Sequence, residues 1–273
     1  MNDVLGYQGK TVVVTGAASG MGMAAAERLV ALGAEVYALD IAPVSVGVKE
    51  TIKVDMKNPA DIDAAIAALP QQIDALFNCA GVPQPPFSGL DVILINYVGL
   101  RYLTEGLLGR IKEGGSITSI SSTAGMGWRP NIDRLKPWVS REQPFADVAE
   151  FVEANADITG DAYGFSKQSI IVYTMMNAAP LAKRKIRINC ISPSPTDSGF
   201  MKSLKEEGGM TDDIVGLFMP AIGQYASGRD MGDVMVLLGS DLAGFISGVN
   251  LPVDYGYCAE VYTGSRDNLL SIG

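Results

Sequence analysis

The stretch Thr15-Gly16-Ala17-Ala18-Ser19-Gly20-Met21-Gly22 constrains the fold of this chain more than any other. It follows Thr11-Val-Val-Val14, a short apolar run of buried-strand type, and precedes Met21–Leu32, which reads as a helix of Ala, Met, Leu, Glu and Arg. Gly16 permits a tight exit from the strand. Gly20 and Gly22 let the backbone approach a pyrophosphate and let the helix pack close to the sheet. The helix N-terminus adds N–H donors and the positive end of its dipole. A strand, a glycine turn and a helix in that order predict a dinucleotide site, with Ser19 and Met21 among its contacts.

The rest of the chain repeats the strand–helix alternation. Gly33 stands where a left-handed residue ends the first helix. Glu35–Leu39 reads as a strand closed by Asp40, and Ile52–Val54 as a strand closed by Asp55. Asn58-Pro59 has the form of an N-cap followed by proline at the first helical position. Ile73–Phe77 is a fourth strand running into Asn78-Cys79-Ala80-Gly81, and Asp91–Leu108 a helix that contains Asn96. Ser116–Ile120 runs into Ser121-Ser122, Ala162–Ala178 reads as a helix, and Arg187–Ile191 as a strand ending at Pro193. Phe245–Val249 with Leu251–Val253 suggests a last edge strand. This spacing predicts an α/β fold, a Rossmann-type doubly wound parallel sheet, as one domain over residues 1–273. The polar residues of interest follow strands, at the sheet edge where such folds bind ligands.

One segment departs from the plan. Residues 125–160 carry Trp128, Trp138, Phe145 and Phe151, with a short helix expected over Phe145–Asn155. A connection this long is a substrate wall or lid, or a surface insertion that packs or mediates association.

Composition removes several classes of function. The chain contains no histidine, so Ser-His-Asp chemistry, Cys-His chemistry and histidine metal sites are excluded, and no metal is expected. Proton transfer near neutral pH then falls to Asp, Glu, Tyr, Lys or Cys with a shifted pKa. A net charge of −9 argues against nucleic acid and anionic membrane surfaces. Cys79, Cys190 and Cys258 give neither a disulfide framework nor zinc spacing and read as reduced core residues. No window resembles a membrane span and the N-terminus shows no signal pattern, so a cytoplasmic protein is expected.

Asp40 lies 18 residues past Gly22. A carboxylate there accepts hydrogen bonds from both ribose hydroxyls of an adenosine and repels a 2′-phosphate. No Arg or Lys lies in the glycine turn or beside Asp40, so NAD is expected over NADP. Ile41 stands beside it. Asp55 and Met56 are expected near the adenine, with Asn78, Ala80 and Gly81 along the path to the nicotinamide. Tyr163 and Lys167 share a helix face at i, i+4. A phenol ionises near pH 10, and an adjacent ammonium shifts it toward neutrality. Ser122 is placed to donate a hydrogen bond to a substrate oxygen.

These motifs together resemble the short-chain dehydrogenase/reductase family over almost the full length of the chain. The likeness rests on Thr15–Gly22, Asn78-Cys-Ala-Gly81, Asn96, Ser122, Tyr163-x-x-x-Lys167 and Pro193. It implies a catalytic tetrad of Asn96, Ser122, Tyr163 and Lys167. Tyr163 is then the acid/base, Lys167 lowers its pKa and holds the nicotinamide ribose, Ser122 orients the substrate oxygen, and Asn96 holds a proton-relaying water. Ser122 fits the pattern better than its rival Ser121. Pro193, Thr196 and Ser198 are expected at the cofactor. Val82, Trp128, Phe200 and Met201 are expected at the substrate, under a loop over residues 198–223.

Val82-Pro83 after Gly81, the sequence around Asn96 and the long interval before Tyr163 resemble the coniferyl alcohol dehydrogenase and bacterial 3α-hydroxysteroid dehydrogenase/carbonyl reductase groups. The resemblance implies NAD-dependent oxidation of a bulky hydrophobic alcohol (aromatic, terpenoid or steroid) in a homodimer or homotetramer. A carbonyl reductase working in the opposite direction and a non-catalytic dinucleotide sensor are the alternatives. Two departures stand out: Pro193-Ser194 where the family has Pro-Gly, and Asp254-Tyr255-Gly256 where it has Asp-Gly-Gly.

Overall fold

Parallel strands fed by helices on alternating faces build the molecule. The computed structural model describes residues 3–142 and 144–269. Strand β1 (Thr11–Thr15) leads into α1 (Gly20–Ala31), then β2 (Glu35–Asp40), β3 (Glu50–Lys53) and α2 (Pro59–Ala68). Strand β4 (Ile73–Asn78) leads into one long helical stretch: α3 (Gly89–Ile93), a π-turn over Leu94–Gly99 and α4 (Leu100–Leu107). After β5 (Ile111–Ile120) comes a 3₁₀ segment over Thr123–Trp128, then three short helices, α5 (Ile132–Val139), α6 (Val148–Ala154) and α7 (Ala156–Thr159). Helix α8 (Ala162–Ala182) precedes β6 (Arg187–Pro193), β7 (Thr196–Asp197), α9 (Gly199–Glu206) and α10 (Asp212–Gly216). The chain closes with β8 (Ala226–Ser227), α11 (Gly228–Gly239), β9 (Asn250–Val253) and α12 (Tyr257–Tyr262).

The seven strands order β3-β2-β1-β4-β5-β6-β9, all parallel. The order reverses between β1 and β4, which makes the carboxyl ends of those two strands the switch point where such sheets hold ligands. One apolar layer packs α2, α4 and α8 on the sheet through Leu103, Ile171 and Tyr97. The other packs α1 and α11 through Leu29 and Met235. Gly232 allows the second contact, because a Cβ there would sit 2.8 Å from the Ala25 amide nitrogen. No helix among the described residues is long and apolar enough to cross a membrane.

The last strand lies later than the sequence predicts. Gly248 adopts φ +81, so Phe245–Val249 turns rather than extends, and β9 begins at Asn250.

The segment before α8 packs on the core. Trp138 is 2% exposed; its ring stacks on Phe151 at 4.4 Å and meets Phe165 of α8 at 5.6 Å and Tyr97 at 5.8 Å. The expected helix over Phe145–Asn155 is present as α6, preceded by Asp147 in the left-handed conformation. Of the two readings left open for this segment, the structure favours packing over a substrate wall. Replacing Trp138 with Ala is expected to cost about 3–5 kcal/mol in a denaturant titration, as for other buried aromatics. The Michaelis constant of the folded variant should stay within about twofold of wild type. A raised Michaelis constant with an unchanged denaturation midpoint would restore the lid.

Candidate active site

Two cavities open along the carboxyl edge of the sheet and share Met21, Cys79, Gly81, Ser198 and Phe200. The first, about 360 Å³, runs over the glycine turn. Gly16, Ser19, Gly20, Met21 and Gly22 form one side, and Asp40, Ile41, Asp55 and Met56 the other. Ala80 and Gly81 close the inner end. Gly16 and Gly20 take φ +67 and +55, and a Cβ on Gly16 would lie 2.7 Å from the Ala80 backbone. Only glycine lets the turn nest against the end of β4 in this way. Thr15 Oγ1 fixes that approach by accepting from the Cys79 and Ala80 amides at 3.0 and 3.1 Å. Asp40 holds the rim, its carboxylate accepting from the Ala18 and Ala42 amides, each at 2.9 Å. Each oxygen keeps a further lone pair for a hydroxyl. A long groove with a glycine-lined helix N-terminus at its middle and a carboxylate at its far end fits a dinucleotide.

The second cavity, about 300 Å³, holds Ser122, Tyr163, Lys167, Pro193, Thr196 and Ser198 together with Phe200 and Met201. Adjacent serines on an extended chain point to opposite sides. Ser121 turns inward and donates to the Lys167 carbonyl at 2.8 Å, while the Ser122 hydroxyl hydrogen-bonds the Tyr163 phenol. Both serines line the cavity, with the Ser121 hydroxyl engaged by the α8 backbone. Lys167 Nζ is buried, donates to the Ile120 carbonyl at 3.0 Å and lies 5.5 Å from the centre of the Tyr163 ring. Asn96 sits in the π-turn, a widened geometry frequent at functional sites. Its side chain grips Val82, accepting from the amide at 2.7 Å and donating to the carbonyl at 3.0 Å. A Cβ on Gly81 would stand 3.3 Å from Asn96 Oδ1 and 3.5 Å from Lys167 Nζ, so both residues crowd the same glycine.

Of the residues expected at the site, Asn78, Asn96 and Trp128 line neither cavity, and Val82 lines the other one. Asn78 is buried and lines neither cavity; its amide donates to Thr104 at 3.0 Å and Ser119 at 3.3 Å, bracing β4 against α4 and β5. Trp128 lines neither cavity. It packs against the core with Arg129 over its ring. Val82 lines the first cavity, not the substrate side. The sequence reading missed Gln84, Asp161, Leu204, Met210, Val215 and Phe218 on the second cavity and Lys57 on the first. Lys57 is tied to Asp91 at 3.1 Å. Strands β7 and β8 pair at the neck of residues 198–225, which folds this excursion over the second cavity.

The family model described as "short chain dehydrogenase" matches residues 10–132, and the one described as "Enoyl-(Acyl carrier protein) reductase" matches residues 149–258. The coniferyl-alcohol dehydrogenase of Pseudomonas sp. (strain HR199 / DSM 7063) is 32% identical over 252 residues, covering 90% of this chain and 96% of that one. The chain belongs to the short-chain dehydrogenase/reductase family. The 3-alpha-hydroxysteroid dehydrogenase/carbonyl reductase of Comamonas testosteroni is 27% identical, over 90% of this chain and 95% of its own. A solved structure of the 3-alpha-hydroxysteroid dehydrogenase from Pseudomonas sp. B-0831, complexed with NADH, superposes with a TM-score of 0.77 at 25% identity. It covers 94% of this chain and 99% of that one.

The electrostatics of this short-chain dehydrogenase/reductase differ from the expectation in one respect. Burial pushes the Tyr163 phenol up to about 12; the Ser122 hydrogen bond pulls it down and Asp161 pushes it further up. Lys167, its own ammonium lowered by burial to about 8, does not offset that rise in the protein alone. Cys79, which touches both cavities, is pushed up to about 12 by burial and is no base at neutral pH. Lys167 ionises near 10.5 when unfolded and near 8 when folded, so the unfolded chain holds the extra proton between those values. Stability from this group is therefore full above pH 10.5 and lost as the pH falls through 8. The buried charge costs about 3 kcal/mol below pH 8. Thermal unfolding midpoints of wild type should gain on those of Lys167→Met as the pH rises from 7 to 9.5, the range before Tyr163 begins to oppose the trend. A wild-type-minus-variant difference that is flat with pH would show the ammonium to be solvated.

Proposed function

We propose that this protein is an NAD-dependent alcohol dehydrogenase that oxidises a bulky hydrophobic alcohol to the carbonyl. The observation that carries this reading is the convergence of Ser122, Tyr163 and Lys167 on one apolar cavity that shares its wall with the dinucleotide groove. When bound, the nicotinamide supplies the hydride acceptor and, in its oxidised form, a positive charge. Ser122 orients the substrate hydroxyl. Tyr163 Oη takes its proton as the C–H bond gives up the hydride. Lys167 supplies the fixed positive charge that the developing phenolate needs. Phe200, Met201 and Leu204 cover the site and exclude water. Carbonyl reduction uses the same residues in reverse, with the neutral phenol as donor.

Asp40 supports NAD over NADP. Its carboxylate stands on the rim of the groove, and Lys57, the lysine among the described residues that line it, has its charge taken by Asp91. The apolar second cavity supports a hydrophobic skeleton, as do relatives named for coniferyl alcohol and for hydroxysteroids.

Tyr163→Phe is expected to lower kcat by about 10²–10⁴-fold, the usual worth of a positioned acid/base, with the dissociation constant for NAD within about threefold of wild type. Absorbance at 340 nm with aromatic, terpene and steroid alcohols reads the first quantity and calorimetry the second. Wild-type turnover in the variant would sink the assignment. NAD binding without turnover on any alcohol or ketone would favour the sensor. Asp40→Asn removes the charge and keeps one of the two acceptor oxygens that Ala18 and Ala42 use. It should reduce the NAD-over-NADP ratio of kcat/KM by about tenfold or more. An unchanged ratio would place the discrimination on other residues.

A further inference from the structure

Among the described residues lining the second cavity, the only charged side chains are Lys167, at its base, and Asp161. Asp161 is the N-cap of α8, two residues before Tyr163, and is exposed at the cavity mouth. Its Oδ1 accepts from the Gly164 amide at 2.9 Å. A Cβ on Gly164 would lie 2.1 Å from Oδ2, so glycine at that position makes room for the carboxylate in this orientation. Oδ2 has no hydrogen-bond partner among the described residues.

Gln84 lies beside it. Gln84 Oε1 accepts from the Tyr163 amide at 3.3 Å, one residue from the amide that Asp161 holds. Gln84 lines the same cavity, and its side-chain amide carries N–H donors that make no hydrogen bond among the described residues. The nearby α9 lysines do not offset the carboxylate, since Lys202 pairs with Glu206 and Lys205 with Asp212. The mouth of an otherwise apolar pocket therefore offers one free anionic acceptor and one neutral donor side by side.

A hydroxyl satisfies both at once, donating to Asp161 and accepting from Gln84. A carboxylate or phosphate satisfies only Gln84 and meets the Asp161 charge. We propose that Asp161, with Gln84, is the specificity-determining element of the substrate cavity, selecting uncharged apolar alcohols that carry a second hydroxyl and rejecting anionic ones. The inference rests on the reading of this cavity as the substrate site. A hydrogen bond to a charged acceptor that the bound skeleton shields from water is worth more than one in solvent.

The test uses three compounds that share one reacting group: cinnamyl alcohol, its para-hydroxy analogue and its para-carboxylate analogue. Binding is measured by calorimetry and kcat/KM by absorbance, for wild type, Asp161→Asn and Gln84→Leu. Asn is a good N-cap and keeps the oxygen that holds Gly164, so α8 and Tyr163 stay in place. Wild type should bind the hydroxy compound about tenfold more tightly than the carboxylate. Asp161→Asn should bring that ratio to within about twofold, mainly by admitting the carboxylate. Gln84→Leu should weaken the hydroxy compound while leaving the carboxylate disfavoured. Equal ratios in wild type and Asp161→Asn, or no discrimination in wild type, would overturn the proposal. Because binding is read without turnover, the two readings separate. Discrimination that Asp161→Asn abolishes in an enzyme that turns over none of the three upholds the role of Asp161 and counts against the dehydrogenase. Turnover with unchanged ratios does the reverse.

Discussion

The site depends on one clasp between α8 and the end of β5. Lys167 contributes twice to it, donating from Nζ to the Ile120 carbonyl and accepting at its own carbonyl from Ser121. Gly125 lets the 3₁₀ segment after β5 lie against the same turn, because a Cβ there would stand 2.8 Å from the Lys167 carbonyl carbon. The clasp fixes α8 in rotation and height relative to the strand. Ser122 and Tyr163, one residue beyond Ser121 and one turn before Lys167, are thereby brought together. A buried ammonium is expensive, but with its donors directed at a strand-end carbonyl the cost holds two elements in register.

Much of this was legible in the sequence, and the parts that were share a cause. The glycine turn, the carboxylates at strand ends and the Tyr-x-x-x-Lys spacing are local: a few consecutive residues carry both the structure and the chemistry. Where strand ends fall in a parallel sheet decides which residues meet the ligand, so Asp40 and Gly81 followed from the alternation, while Pro193 came from the family resemblance. The exceptions depend on contacts distant in sequence. Asn78 stands at a strand end like Asp40, yet its amide is drawn into the core by Thr104 and Ser119. Trp128 was expected at the substrate on its aromatic character, but the 3₁₀ path after Ser122 directs it onto the core instead. The π-turn around Asn96 left no periodic signal, since its neighbours are apolar on every side. Gln84 and Asp161 gave no signal either; each gains meaning only where the loop after β4 meets the start of α8.

The insertion shows how a segment remote from the chemistry serves it. Trp138, Phe151 and Phe165 form one aromatic stack, and Phe165 lies two residues past Tyr163 on α8. The stack buries the outer face of that helix and so defines how deeply its first turn sits. Helix position there translates directly into the separation of Tyr163 from Ser122. A connection whose own residues line neither cavity thus bears on the reacting geometry through packing.

Burial sets the chemistry as firmly as the residues themselves. In a chain without histidine no side chain titrates near pH 7 unless its surroundings move it there. The enclosure that keeps water from the substrate moves Lys167 down toward neutrality and Tyr163 away from it. Left to themselves the two groups are a weakly held ammonium and a tightly held phenol, and the proton rests on the oxygen. Additional positive charge beside Tyr163 favours the phenolate and favours the neutral amine, acting on the pair in the direction that oxidation of an alcohol requires. The pair is therefore set up to respond to what binds next to it, and the apolar walls that create its perturbed state also keep the response from being screened.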